Sequence, residues 1–377
     1  MAAGRRKTGR NAAERRQAAA AAALVLAAVG VTLPALPVLA EQATLAAVAV
    51  VLPESGLNSL RQRFAPEADP VTMPEESPAQ PQPAAPEPPA ESSSQPERDE
   101  PLPTEEIPEE YRGSLLRETM TGQDDGGWLS LGAGWLRNYT ALGQEEIAAL
   151  LEETPLPDLG EGEAQVLILH THATESYETH TGAHYDTRAD WRTTDNSRNM
   201  CAIGAAMAEE LEAAGIGVIH DTTQHDYPSY NGSYDRSRAT AEAILARYPG
   251  LRVVLDVHRD AIQRDAATIV APVTQIGGKS CAQVMVIAGC DDGSMNMPHW
   301  QENLRFAAAL VNRMEQDWPT LTRPLFFAHR KYNQDMTPAT LLLEVGSSAN
   351  TMEEAEYAAR LAAKSLAGLL KEGENAP

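Results

Sequence analysis

The sequence predicts an α/β fold over residues 161–377: three layers, with a mostly parallel twisted sheet and helices on both of its faces. Two observations carry this. Apolar runs such as VLIL (166–169) and TLLLEV (340–345) are continuous rather than alternating, the pattern of strands buried on both faces. Segments with helical spacing separate these runs, and strands that alternate with helices build parallel βαβ units.

The elements follow in order. Gln165–His170 reads as a buried strand, and Asn196–Ala214 as a helix stopped by Gly215. Gly217–His220 is a second strand. A helix over Asp235–Arg247 closes at Tyr248-Pro249-Gly250, and Arg252–His258 is a third strand. Ala267–Val273 and Gln283–Ala288 are further strands, followed by a helix over Trp300–Gln316. Leu325–His329 and Thr340–Val345 are strands, and Met352–Leu370 is the closing helix. Before this domain, 111–160 reads as a small juxta-domain segment, with a short hairpin from Gly126 to Leu136 and a helix over Gln144–Glu153.

The rest of the chain is a mosaic. Residues 1–16 are a basic N-terminus, with Arg5, Arg6, Lys7, Arg10, Arg15 and Arg16 against Glu14. Residues 17–40 carry no charge; as a helix at ~1.5 Å per residue they would cross a ~30 Å hydrocarbon layer. The basic flank predicts a cytoplasmic N-terminus and an extracytoplasmic remainder. A signal peptide cut after Val38-Leu39-Ala40 is the alternative to an anchor, and has the same consequence. Residues 41–110 read as a disordered Pro/Glu-rich linker. Between Pro66 and Pro108 lie 13 of the 26 prolines and 11 acids against one base, Arg98, too little apolar surface to offset the entropy of ordering.

Composition excludes some functions. A formal net charge of −23 argues against a phosphate-backbone partner. Three cysteines cannot build a disulfide scaffold. No glycine-rich phosphate loop follows the first strand.

Three polar clusters fall at the C-terminal ends of apolar strands, where ligands bind in open α/β sheets. They are His170-Thr171-His172-Ala173-Thr174-Glu175, Asp256-Val257-His258-Arg259-Asp260, and Glu344. His172 and Glu175 have H-x-x-E spacing, and His258 from a neighbouring strand completes three nitrogen and oxygen ligands suited to zinc. Glu344 stays off the metal, beside the attacking water, as general base and then acid. Arg259 or a backbone N–H helps hold the oxyanion. His170 competes with His172 as ligand, and Asp195 competes with Glu175. Asp256, a carboxylate inside an apolar strand, is placed to orient His258. Cys201, Cys281 and Cys290 read as structural.

Four segments, VLILHTHATESY (166–177), GIGVIHDTTQHDYPSYNGSYDRS (215–237), VVLDVHRDAI (253–262) and LLLEVGSSAN (341–350), resemble the stage II sporulation protein P family of endospore-forming bacteria. The resemblance implies an amidase-like or zinc carboxypeptidase-like α/β fold. It also implies a zinc-dependent peptidoglycan hydrolase that cuts the N-acetylmuramoyl-L-alanine bond, and possible cleavage of peptide cross-links, during engulfment. Carried onto this chain, it puts the metal on His172, Glu175 and His258, with Glu344 catalytic. It further implies stage II sporulation proteins D and M as partners. Tyr227, Tyr230, Asn231 and Tyr234 are candidates for the wall of a glycopeptide groove. A zinc peptidase acting on stem peptides alone and a non-catalytic wall-binding scaffold are the alternatives.

Overall fold

The computed structural model describes residues 107–123, 127–152, 157 and 162–374. The expected anchor and nearly all of the expected linker lie outside them. Among the described residues no helix is long and apolar enough to cross a membrane.

The chain runs β1 (Arg112–Glu118), β2 (Trp128–Ser130), β3 (Trp135–Tyr139), α1 (Gln144–Glu152), β4 (Val166–Leu169), β5 (His184–Asp186), α2 (Met200–Ala213), β6 (Val218–His220), α3 (Ser233–Arg247) and β7 (Val253–Asp260). It continues through β8 (Gln263–Asp265), β9 (Thr268–Ile276), β10 (Lys279–Ala282), β11 (Val284–Gly289), α4 (Trp300–Asp317), β12 (Leu325–Ala328), β13 (Thr340–Ser347) and α5 (Met352–Glu374).

The main sheet has eight strands in the order β2-β3-β12-β11-β13-β7-β4-β6. Strands β13, β7, β4 and β6 are mutually parallel, as the continuous apolar runs predict. The sheet is nevertheless mixed, because β11 pairs antiparallel with β13, and β2 with β3. The reason is local. Parallel neighbours need a crossover, whereas β11 follows β10 after one residue, Gln283, and re-enters the sheet at the edge where β7 and β13 end.

Alternation along the strands decides which helices each face meets. Val166, Ile168, Val253, Leu255 and Val257 pack with α2, α4 and α5 in one large core. Leu167, Leu169 and Val254 face the other way, against Ala241 of α3. Each of these fully buried aliphatic side chains contributes ~1.5–3 kcal/mol. On β7, Asp256 and His258 continue the α3-facing set.

The sequence assigned Ala267–Val273 to the main sheet. The strand there, β9, belongs instead to a second sheet in the order β10-β9-β1-β5, with β8 on β9. β1 runs parallel to β9 and antiparallel to β5, so it joins the two. The segment read as a juxta-domain unit therefore supplies strands to both sheets: β1 to the small one, β2 and β3 to the large one.

Candidate functional site

The site begins where β4 stops. The chain leaves Leu169 and turns, with Glu175 N–H donating to the His172 carbonyl (3.2 Å). His170, one residue past β4, lies against α2. Its Nδ1–H donates to the Val257 carbonyl (2.8 Å), and its Nε2 accepts from His220 Nε2 (2.9 Å). A Cβ on Gly204 of α2 would sit 2.5 Å from both Nε2 atoms, so only glycine leaves room for this pair. The turn carries His172 and Glu175 away from His170 and over the end of β7. Asp195, the alternative carboxylate, is exposed and binds Ser197 N–H (2.9 Å) and Oγ (2.7 Å).

His172, Glu175 and His258 meet. The two imidazoles are edge to face with centroids 5.2 Å apart, and His258 Nδ1 is 3.6 Å from Glu175 Oε2. Glu344 on β13 is in register with His258 on the parallel β7. Just beyond it β13 bulges, and Gly346 takes φ +69°, which an L side chain rarely adopts. None of the four side chains belongs to a residue more than 1% exposed.

Burial makes their charges informative. Desolvation drives His172 down to about 3, a neutral imidazole. Burial alone would raise Glu175, yet Arg259, His258 and His172 hold it below the usual carboxylate range. Burial opposes charge on His258, but Asp256 and then Glu175 raise it well above the ordinary histidine value. Burial, reinforced by Asp260, pushes Glu344 up to about 8.

The donor chemistry suits a metal ion. His172 Nδ1, Glu175 Oε1 and His258 Nδ1 are buried ligand atoms that make no hydrogen bond, a costly condition unless something else satisfies them. Each imidazole has a polar neighbour on its other nitrogen: Tyr230 Oη lies 2.9 Å from His172 Nε2, and Asp256 Oδ1 lies 2.8 Å from His258 Nε2, a charge contact outside hydrogen-bond geometry, since that nitrogen also makes no hydrogen bond. Among the described residues no group of three or more His, Cys, Asp or Glu side chains is placed, as it stands, to hold a metal ion. The three are gathered, with these donor atoms free of hydrogen bonds although Glu175 lies within ion-pair distance of His258 and Arg192.

Arg259 is almost fully buried. Its Nε donates to the Ser176 carbonyl (3.0 Å) and its Nη2 to that of Trp191 (2.9 Å), so it holds the segment around Glu175. The guanidinium nearest the surface of the site is that of Arg192, which binds Asp226 Oδ2 (2.8 Å), approaches Glu175 Oε1 (3.5 Å) and covers the Tyr230 ring. Sequence reasoning missed both: Arg192 lies outside every segment singled out, and Asp226 lies within 215–237 but was given no role.

The aromatic loop divides. Tyr230 stacks on His172 at 4.5 Å and Tyr234 meets the same ring edge on at 5.6 Å, while Tyr227 is 60% exposed. Asn231 is exposed, and its carbonyl accepts from Arg236 Nη1 (3.0 Å), which with Nε and Nη2 ties down residues 225–231.

Fold and site together define a mixed α/β protein with a buried His–Glu–His–Glu cluster at the C-terminal edge of its parallel strands. Residues 63–367 match the family described as stage II sporulation protein P, and the chain belongs to that family. Stage II sporulation protein P of Bacillus subtilis (strain 168) is 31% identical over 209 residues, 52% of this chain and 49% of that protein. The match thus spans about half the length of that relative. Among solved structures, the N-acetylmuramoyl-L-alanine amidase AmiC2 of Nostoc punctiforme is 15% identical, covering 57% of this chain and 97% of that one at a TM-score of 0.31. The CwlD amidase of Clostridioides difficile, in complex with the GerS lipoprotein, is 12% identical, covering 55% and 98% at 0.34.

Proposed function

We propose that this chain is a zinc-dependent peptidoglycan hydrolase that cleaves the amide bond between N-acetylmuramic acid and the L-alanine of the stem peptide. The observation that carries the reading is the meeting of His172, Glu175 and His258 beside Glu344, with buried donor atoms that make no hydrogen bond. His172, Glu175 and His258 would hold the ion. Zinc bound there would supply Lewis acidity toward the scissile carbonyl and a water of lowered pKa. Glu344 would take a proton from the attacking water and pass it to the leaving amine nitrogen. Asp256 would steady the His258 ring, and Arg259 the segment around Glu175.

In this reading the uncharged segment 17–40 anchors the chain in the membrane, and the linker carries the folded part outward to the wall. Stage II sporulation proteins D and M are the proposed partners, in engulfment.

The test is zinc analysis of the purified protein together with digestion of purified sacculi. The expected result is about one zinc per chain and release of intact stem peptides, both lost in His258→Ala. Products consisting only of shortened stems would replace the amidase reading with a peptidase. Binding to sacculi with no metal and no release would leave a scaffold.

A further inference from the structure

We infer that Asp256 is the positioning residue that holds both histidines of the cluster at once. The inference rests on reading His172 and His258 as metal ligands.

Asp256 lies inside β7 between Leu255 and Val257, and the residue is only 4% exposed. A carboxylate in such a strand is costly without partners, and its partners are all parts of the site. Oδ1 accepts the Thr171 backbone N–H (2.8 Å) and lies 2.8 Å from His258 Nε2, while Oδ2 accepts the Thr171 hydroxyl (2.6 Å).

Thr171 stands between His170 and His172, where β4 has ended and the turn begins. Two bonds from one carboxylate thus fix where the chain bends and where His172 emerges. The same carboxylate faces His258 Nε2, which leaves Nδ1 toward Glu175. One side chain on β7 therefore aligns a ligand from its own strand with a ligand from its neighbour. The network extends outward. Ser237 Oγ on α3 is 2.7 Å from Thr171 Oγ1, and Asn333 Nδ2 reaches both Ser237 Oγ (3.3 Å) and the Tyr234 carbonyl (2.9 Å). A carboxylate behind a ligating imidazole sets its orientation and basicity, and losing one typically weakens metal binding ~10–100-fold.

The experiment uses the full chain loaded with zinc, and with cobalt as a spectroscopic probe. Affinity is read by competition with a chromophoric chelator, and ligand geometry from the cobalt absorption bands. Asp256→Asn keeps the shape and removes the charge; zinc affinity is expected to fall ~10–100-fold, with displaced cobalt bands. Thr171→Val removes only the hydroxyl bond and is expected to lower affinity by a smaller factor, with the same direction of spectral change. The double variant is expected to fall short of the product of the two losses, because the residues share one bond. Wild-type affinity and spectrum in Asp256→Asn overturn the proposal. Should that variant not fold, wild-type values in Thr171→Val overturn it. A wild-type chain that takes up neither metal overturns the metal-site reading and this inference together, an outcome distinct from a zinc-binding wild type with unaffected variants.

Discussion

Glu344 stands directly across the parallel ladder from His258, in register on adjoining strands, beside the convergence of His172, Glu175 and His258, whose imidazoles meet edge to face at 5.2 Å and whose His258 Nδ1 is 3.6 Å from Glu175 Oε2. In the proposed reading, holding the metal and moving the proton fall to different residues. Glu344→Gln is expected to keep the zinc of the wild type and to lose ~10²–10⁴-fold in rate, the usual worth of a positioned general base. Zinc per chain and stem-peptide release from sacculi, measured on one preparation, check this. Loss of zinc in this variant would make Glu344 a ligand instead.

The same carboxyl predicts how the metal-free protein responds to pH. Burial, with Asp260, lifts Glu344 to about 8 from 4.5. The folded chain thus binds a proton that the unfolded chain has released. The stabilisation is complete below the unfolded value and disappears as pH rises through the folded one. Its size is on the order of 3–5 kcal/mol. In Glu344→Gln this dependence is absent, so metal-free wild type is expected to lose stability relative to the variant between about pH 5 and pH 9. Denaturant melts across that range check it, and parallel curves would contradict the shift.

His170 and His172 are two residues apart and have different surroundings. His170 is locked between Val257, His220 and Gly204, and burial followed by the charge of His220 lowers it to about 3. His170→Ala is expected to retain zinc affinity and to cost ~1–3 kcal/mol in stability, through a cavity and a lost buried hydrogen bond. Gly204→Ala is expected to be worse, since its methyl must displace two ring nitrogens. Chelator competition and thermal melts of both variants decide between this role and a ligand role for His170.

The division between these two histidines marks how far the sequence could be read. On an extended strand both would face the same way. They diverge because β4 ends at Leu169, a boundary that an apolar pattern places only within a few residues. The H-x-x-E spacing pointed to His172 because it reflects the turn itself. The core strands β4, β7 and β13 were legible because burial on both faces leaves an unbroken apolar run. The small sheet was not. Strands β5 (HYD) and β8 (QRD) have three residues each and no apolar pattern, and they are strands only because β1 and β9 lie beside them. The density of tyrosines in 227–234 flagged that loop, but not that Tyr230 and Tyr234 would turn inward onto His172 while Tyr227 turned out. Arg259 drew notice for its place beside His258. Its direction, toward the Ser176 and Trp191 carbonyls, depends on a loop whose path no local pattern encodes.

Those contacts make a prediction for Arg259. Replacing it with Met takes a donor from two part-buried carbonyls, of which that of Trp191 keeps the Ser176 N–H (2.9 Å), and removes the cation that most lowers Glu175. Breaking a buried charged contact of this kind costs ~3–5 kcal/mol. The expected outcome is a fall in melting temperature and weaker zinc binding, with kcat per zinc-loaded chain within about threefold of wild type; a group that held the oxyanion would cost ~10²–10³-fold in kcat. A loss of that size in kcat, with stability and zinc content intact, would assign the oxyanion to Arg259.

β1 is the first strand among the described residues. Among the described residues it is the only strand that pairs with both β9 and β5, through Arg112–Ser114 to β5 and Ser114–Glu118 to β9. β5 sits in the long connection from β4 to α2, the same connection that holds Glu175 and Arg192. Leu115 packs with Tyr185, Ile269, Ala271 and Ala349, so removing β1 opens that core as well as two strand edges. The main sheet keeps its order without it, since none of its eight strands pairs with β1. A chain beginning at residue 119 is therefore expected to retain the protected amides of β4, β7 and β13, while residues 175–192 lose protection from hydrogen exchange. Zinc affinity is expected to fall by at least ~10-fold, because Glu175 is no longer held toward His258. Exchange followed by mass spectrometry, with chelator competition on the same samples, reads both. Unchanged protection in 175–192 would mean that Arg259 and Glu178, the latter bonded to the Ser348 and Asn350 carbonyls, hold this connection by themselves.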